Sequence, residues 1–161
     1  MNTEALIDTR EPPALDLTGV HVLIVEDDED SRELMTTVLE DCNATVAIAG
    51  SGEEALLRVG EHTFDVIVSD LGLPDFDGCA LIKQIRALPR GREVPAIALT
   101  GRAGLEEARR ALMAGFQVHL AKPTDAWLLA NAIANVVGMP ILDASLDASL
   151  DASRDPGPSL D

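Results

Sequence analysis

The sequence predicts an α/β protein built on one doubly wound, five-stranded parallel sheet with five helices. Two observations predict it. Five short, largely aliphatic runs occur at 20–25, 45–49, 66–69, 96–100 and 118–121. Each is followed by a segment with helical period, and such strict alternation implies parallel strands covered on both faces. The length of 161 residues fits one domain with short appendages.

The elements follow in order. The first run leads to a helical segment at 31–39, in which Leu34, Val38 and Leu39 share a face and Asp30 or Ser31 is placed to cap it. The second leads to 53–59 behind Ser51 as the capping residue. The third leads to 80–88, with Leu81, Ile82 and Ile85 on one face. The fourth leads to 106–114, closed by Gly115, and the fifth to 126–137, capped by Thr124 or Asp125 and closed by Gly138. Right-handed crossovers leave few arrangements, and analogy with other doubly wound sheets favours strand order 2-1-3-4-5.

Composition narrows the function classes. The formal charge is −16, and all three parts of the chain are acidic: 1–18 has one basic residue against four acidic, 19–138 has 10 against 19, and 139–161 has one against five. This argues against direct binding to a nucleic-acid backbone or an anionic membrane. Aromatic residues make up 2% of the chain, so the core must be aliphatic and base-stacking surfaces are not expected. No window approaches the roughly 18 apolar residues of a membrane span, and the N-terminus lacks the regions of a secretory signal. A cytoplasmic location follows as the expectation. Cys42 and Cys79 have no metal-ligand spacing and read as free thiols in a reducing compartment.

Residues 1–18, with Pro12-Pro13, read as a flexible leader, and 19–138 as the folded domain. Residues 139–161 repeat Leu-Asp-Ala-Ser at 142, 146 and 150. Such an acidic low-complexity tail is too poor in apolar residues to pack by itself; a partner-binding tail and a remnant of cloning are the other readings.

In an open parallel sheet, ligands bind at the carboxyl ends of the strands. There the first run is followed by Glu26-Asp27-Asp28, the third by Asp70, the fourth ends at Thr100, and the fifth is followed by Lys122-Pro123. Converging carboxylates repel one another unless a cation intervenes, and hard oxygen ligands suit Mg²⁺. Lys122 offers an ammonium and Thr100 a hydroxyl for phosphoryl oxygens, and a carboxylate among them can act as a nucleophile forming an aspartyl phosphate. Singly, each feature has a plainer reading: a helix cap, an ordinary strand-end Thr, an ordinary Lys-Pro. Their joint occurrence, in order at one rim, is the specific signal.

These residues resemble the receiver domain of two-component response regulators, which has a flavodoxin-like fold. The acidic pair stands after Leu23-Ile24-Val25. The Asp-x-x-x-Pro-x-x-x-Gly pattern is matched by Asp70, Pro74 and Gly78, the Ser/Thr after strand four by Thr100, and the Lys-Pro by Lys122-Pro123. The resemblance covers roughly 19–138. It implies that Asp70 is the phosphoacceptor and that Mg²⁺ is held by Asp27, Asp70, the Gly72 carbonyl and, through water, Glu26. Thr100 and Lys122 would hold the phosphoryl oxygens, and Asp28 fits a helix cap better than a metal ligand. With no side chain at 72, the phosphoryl group would be more open to water. Pro74, Gly78 and Pro123 would be structural, with a cis bond before Pro123 or a trans proline that starts the last helix. His119 stands where many receivers have Tyr or Phe. It reads either as a half-buried strand residue or as the switch side chain, in which case the switch would be pH-sensitive.

The implied function is a phosphorylation-operated switch that takes a phosphoryl group from a sensor histidine kinase or a histidine phosphotransfer protein. It would catalyse only its own phosphotransfer and autodephosphorylation, and would act on an unknown downstream protein by contact. Homodimerisation through the fourth helix, fifth strand and fifth helix is an open expectation. The sequence after 138 leaves no room for an output module. Residues 115–123 also resemble receivers at the C-termini of hybrid sensor kinases, whereas a leader beginning at Met1 favours a freestanding protein. Two alternatives remain. A phosphorylation-independent binding module would have a broken pocket. A Mg²⁺-dependent aspartyl phosphohydrolase would place its nucleophile after the first strand and carry a cap insertion.

Overall fold

The computed structural model describes residues 15–101, 104–122 and 125–138. Its strands are β1 (His21–Val25), β2 (Thr45–Ala49), β3 (Val66–Asp70), β4 (Ala96–Thr100) and β5 (Val118–Ala121). All pair in parallel, in the order β2-β1-β3-β4-β5. The helices are α1 (Glu29–Asp41), α2 (Gly52–Glu61), α3 (Gly78–Arg86), α4 (Leu105–Ala114) and α5 (Ala126–Val136), with a short 3₁₀ turn at Pro89–Gly91.

Successive strand residues point to opposite faces, and both faces are apolar. On one, Leu23, Val25, Ile67, Ala96 and Ala98 pack with Ala55 and Val59 of α2, Leu81, Ile82 and Ile85 of α3, and Ala111 of α4. On the other, Val22, Ile24, Val66, Val68, Ile97 and Leu99 pack with Met35 and Leu39 of α1 and Leu129, Ala130, Ile133 and Ala134 of α5. The three central strands are therefore buried on two sides, as the expected fold requires, while the edge strands β2 and β5 are only partly covered. Both cysteines are buried and unpaired with each other. Among the described residues no helix is long and apolar enough to cross a membrane.

Local details differ from the expectation at four places. The cap of α1 is Asp28, as the family resemblance implied; it accepts from the Ser31 N–H at 2.9 Å, so the helix begins at Glu29 rather than behind Asp30 or Ser31, the caps that the periodicity offered. Leu34 is 56% exposed while Met35 and Leu39 are buried. The buried stripe is the i, i+4 pair 35/39, and Leu34 lies one residue, about 100°, away from it. Helix α3 starts two residues early because Asp77 caps it, and it stops at Arg86, ahead of the turn at Pro89. Packing also begins before residue 19: Leu17 is fully buried, and its N–H donates to the Cys42 carbonyl at 2.6 Å. Ser51 caps α2, Asp125 caps α5, and Gly115 ends α4 at φ 131°, all as expected. The rest of the leader, the tail at 139–161 and the Lys122–Pro123 peptide expectation lie outside the described residues.

Candidate functional site

The parallel register delivers the polar residues to one rim. Asp70 is the last residue of β3, and Thr100 the last of β4; Glu26 directly follows β1 and Lys122 directly follows β5. The Lys122 Nζ lies 2.9 Å from Glu26 Oε1 and 3.3 Å from Asp70 Oδ2. Residues 96 and 52 positions apart in sequence from Lys122 thus share its ammonium.

Glu26 is 1% exposed. Its Oε2 accepts from the Asp28 N–H at 3.1 Å, and its carbonyl accepts from Arg32 at 3.2 Å. Burial pushes the Glu26 carboxyl above its ordinary value and the nearby Asp70 charge adds to the push, against the Lys122 and Asp28 hydrogen bonds. For Lys122, burial acts to lower the pKa, but the Glu26 hydrogen bond and the Asp70 and Glu26 charges outweigh it, so the ammonium is held above its ordinary value. Asp27 is exposed beside them. One carboxylate oxygen from each of Glu26, Asp27 and Asp70 lies within 4.8 Å of the others, a hard-oxygen set able to hold a divalent ion.

The loop after β3 is tied down on three sides. The Gly72 N–H donates to Asp70 Oδ1 at 3.1 Å, and Gly72 pairs with Asp77 in an isolated antiparallel bridge. Asp75 accepts from the Gly52 and Glu53 N–H groups at 2.9 and 3.0 Å, and the bond from Gly52 holds its carboxyl below the usual range. Asp77 accepts from the Cys79 N–H at 3.3 Å and pairs with Arg110 of α4 at 2.8 Å. A Cβ at Gly78 would sit 2.6 Å from Leu71 Cα and 2.8 Å from the Asp70 carbonyl oxygen. A glycine there lets α3 start against the strand end. Pro74 is exposed in the same turn.

A cleft of about 560 Å³ opens over Asp70, lined also by Leu71, Gly72, Thr100, Gly101, Glu107 and Lys122. Thr100 is buried, and its carbonyl accepts the Lys122 N–H at 2.7 Å. His119 is half-buried on β5 opposite Ala98. Val118 and Leu120 face the α1/α5 core, so His119 projects to the α4 side, the face that Thr100 shares. Among the described residues its Nε2 is buried without a hydrogen-bond partner. The structure therefore brings Glu26, Asp27, Asp70, Gly72, Thr100 and Lys122 together, with His119 two residues before the Ala121 that pairs with Thr100. Sequence reasoning missed Asp75, Glu107 and Arg110. A turn with two aspartates signalled the first weakly, and no local spacing signalled the other two.

Comparison with known proteins gives the family. The model of the response regulator receiver domain matches residues 22–134. An uncharacterised 14.6 kDa protein of Leptolyngbya boryana is 41% identical over 109 residues, covering 68% of this chain and 83% of that one. The signal transduction histidine-protein kinase BarA of Escherichia coli K12 is 33% identical over 112 residues; the match covers 70% of this chain but only 12% of BarA. Among solved structures, the receiver domain of the Pseudomonas aeruginosa sensor histidine kinase PA1611, with magnesium coordinated in its active-site cleft, matches with TM-score 0.70 and 30% identity over 75% of this chain and 99% of that one. The strand order, the acidic rim and these matches agree, and the chain belongs to the response regulator receiver domain family of two-component systems.

Proposed function

We propose that this chain is a phosphorylation-operated switch whose phosphoacceptor is Asp70, loaded from a phosphohistidine on a sensor histidine kinase or a histidine phosphotransfer protein. One observation carries the reading: Lys122 Nζ bridges Glu26 and Asp70 at 2.9 and 3.3 Å beneath a cleft that Thr100 also lines. Asp70 lines that cleft together with Thr100 and Lys122 and is in contact with the ammonium. The similarity to receivers of sensor kinases supports the same class of donor.

In the proposed reaction an Asp70 carboxylate oxygen attacks phosphorus in line, the bond from phosphorus to the histidine nitrogen breaks, and its electron pair returns to the imidazole. Glu26, Asp27, Asp70 and the Gly72 carbonyl would hold Mg²⁺, which neutralises charge on the phosphoryl oxygens when bound. Lys122 exchanges its Asp70 contact for a phosphoryl oxygen while keeping Glu26. Thr100 takes another oxygen through its hydroxyl, and His119 is the side chain placed to follow it. The two arrangements of β4, α4 and β5 then differ in population between the unmodified and phosphorylated protein. The output is contact with a downstream protein, and self-hydrolysis of the acyl phosphate resets the switch. The intact rim weighs against a binding module that has lost phosphorylation.

The test is incubation with a small acyl phosphate and Mg²⁺, followed by phosphate-affinity electrophoresis beside Asp70→Asn. The wild type shifts and the variant does not. A shifted band that persists in Asp70→Asn overturns the assignment.

A further inference from the structure

Helix α4 brings another charge to the cleft. Its first turn carries Glu106 and Glu107, and Glu107 lines the same space as Asp70, Thr100 and Lys122. Only 22% of its side chain is exposed. The neighbouring walls are Gly72 and Gly101, where even an added Cβ would meet nothing within 4 Å. No side chain at those two positions screens the carboxylate from the space over Asp70. Arg110, one helical turn on, holds Glu107 at 3.2 Å and reaches Asp77, the cap of α3, at 2.8 Å.

The consequence is electrostatic. The rim already sets Glu26, Asp27 and Asp70 against Lys122. Phosphorylation would exchange the single charge of Asp70 for a phosphoryl group of roughly −2, in the cleft that Glu107 also lines. Like charges brought together in a partly desolvated site oppose each other. We propose that Glu107 sets how strongly the cleft retains a phosphoryl group, and that Arg110 tunes this as its counter-charge. The inference rests on Asp70 being the phosphoacceptor. By linkage, a phosphoryl group that Glu107 opposes favours positions of α4 in which that carboxylate is drawn back. The exposed Arg110–Asp77 pair links α4 to the cap of α3 and would have to rearrange in such a movement. Helix α4 also exposes Leu105, Leu112 and Met113, so a shift of the helix would alter an apolar surface.

Glu107 is a positioning residue in this account, and opposite effects of two substitutions separate it from a structural one. The full chain is titrated with beryllium fluoride, a phosphoryl mimic, at saturating Mg²⁺, with bound fluoride read by fluorine NMR. Glu107→Gln should bind roughly three- to tenfold tighter, the scale of one unit charge across a half-solvated cleft, and Arg110→Met should bind weaker. The gain in Glu107→Gln should shrink between about 0.05 and about 0.5 M salt. A purely structural role would weaken both variants. Unchanged or weaker binding by Glu107→Gln overturns the proposal, as does a gain that salt leaves untouched. Asp70→Asn should give no bound signal. No bound fluoride in the wild type would sink the phosphoacceptor reading itself, a result distinct from failure at Glu107 alone.

Discussion

Replacing Lys122 by Met removes the ammonium that sits between two covered carboxylates. The Nζ contacts at 2.9 and 3.3 Å each correspond to about 5–6 kcal/mol of gross attraction at an effective dielectric constant near 20. Most of that is offset by desolvation of the ions, and the Lys122 side chain keeps 25% of its exposure, so solvent screens it further. Stranding Glu26, only 1% exposed, leaves an expected net loss of about 2–3 kcal/mol in metal-free buffer at neutral pH. The pH dependence identifies the cause. Lys122 is held above its ordinary pKa, so its contribution is complete below the ordinary lysine value and is lost only as pH rises through the raised one. The Glu26 carboxyl is raised by burial; between its ordinary and its raised value the folded state binds more protons, and stability falls as pH rises through that window. Losing Lys122 removes a lowering influence on Glu26 and extends the window upward. The deficit of Lys122→Met should therefore shrink from about pH 8 to about pH 5, and also when Mg²⁺ is added as a substitute counter-charge. Urea unfolding followed by circular dichroism across this range measures it. A variant as stable as wild type at neutral pH without metal would refute the reasoning, and so would a deficit that ignores pH.

Two further substitutions test the frame around the site. Gly78→Ala forces a Cβ to 2.6 Å from Leu71 Cα and 2.8 Å from the Asp70 carbonyl; the expected cost is about 1–3 kcal/mol, read by urea unfolding, with weaker beryllium fluoride binding because Asp70 itself must move. Leu39→Ala, at a fully buried position, should cost about 2–5 kcal/mol, whereas Leu34→Ala, at a 56% exposed one, should stay within about 0.5 kcal/mol; thermal or urea unfolding of the pair gives the order, and the reverse order would contradict the orientation of α1.

The strands were the most legible part of the chain. β2, β4 and β5 have the bounds that their aliphatic runs predict; β4 is buried along its whole length, and the edge strands β2 and β5 are partly covered. Helix starts were less legible where several caps compete. Asp28, Asp30 and Ser31 can all cap a helix, and the choice of Asp28 depends on where β1 releases the chain. Around Leu34, Met35, Val38 and Leu39 two apolar faces overlap, and only contact with the sheet selects 35/39. The site's strand-end residues were legible because parallel strands place their carboxyl ends together whatever their separation in sequence. Glu107 and Arg110 were not, since their approach to the cleft and to Asp77 depends on how α4 packs, which no spacing within α4 encodes.

The geometry also indicates which contacts a switch built on this rim would give up. Glu26 is fixed from behind, by the Asp28 N–H and by Arg32 from α1, and α1 is anchored through Met35 and Leu39 in the core. Its contact with Lys122 is the shorter of the two; that with Asp70 is 0.4 Å longer (3.3 against 2.9 Å). An ammonium held firmly on the β1 side and less closely on the β3 side can trade Asp70 for a phosphoryl oxygen without releasing Glu26. The Lys122 N–H to Thr100 carbonyl bond at 2.7 Å then ties any movement of the β5 end to the β4 end. The exposed Arg110–Asp77 pair (47% and 49% of the side chains) is of the kind that contributes little to stability. Helix α4 buries only Ala111, whereas α1 buries both Met35 and Leu39, so the proposed rearrangement meets less packing at α4 than at α1.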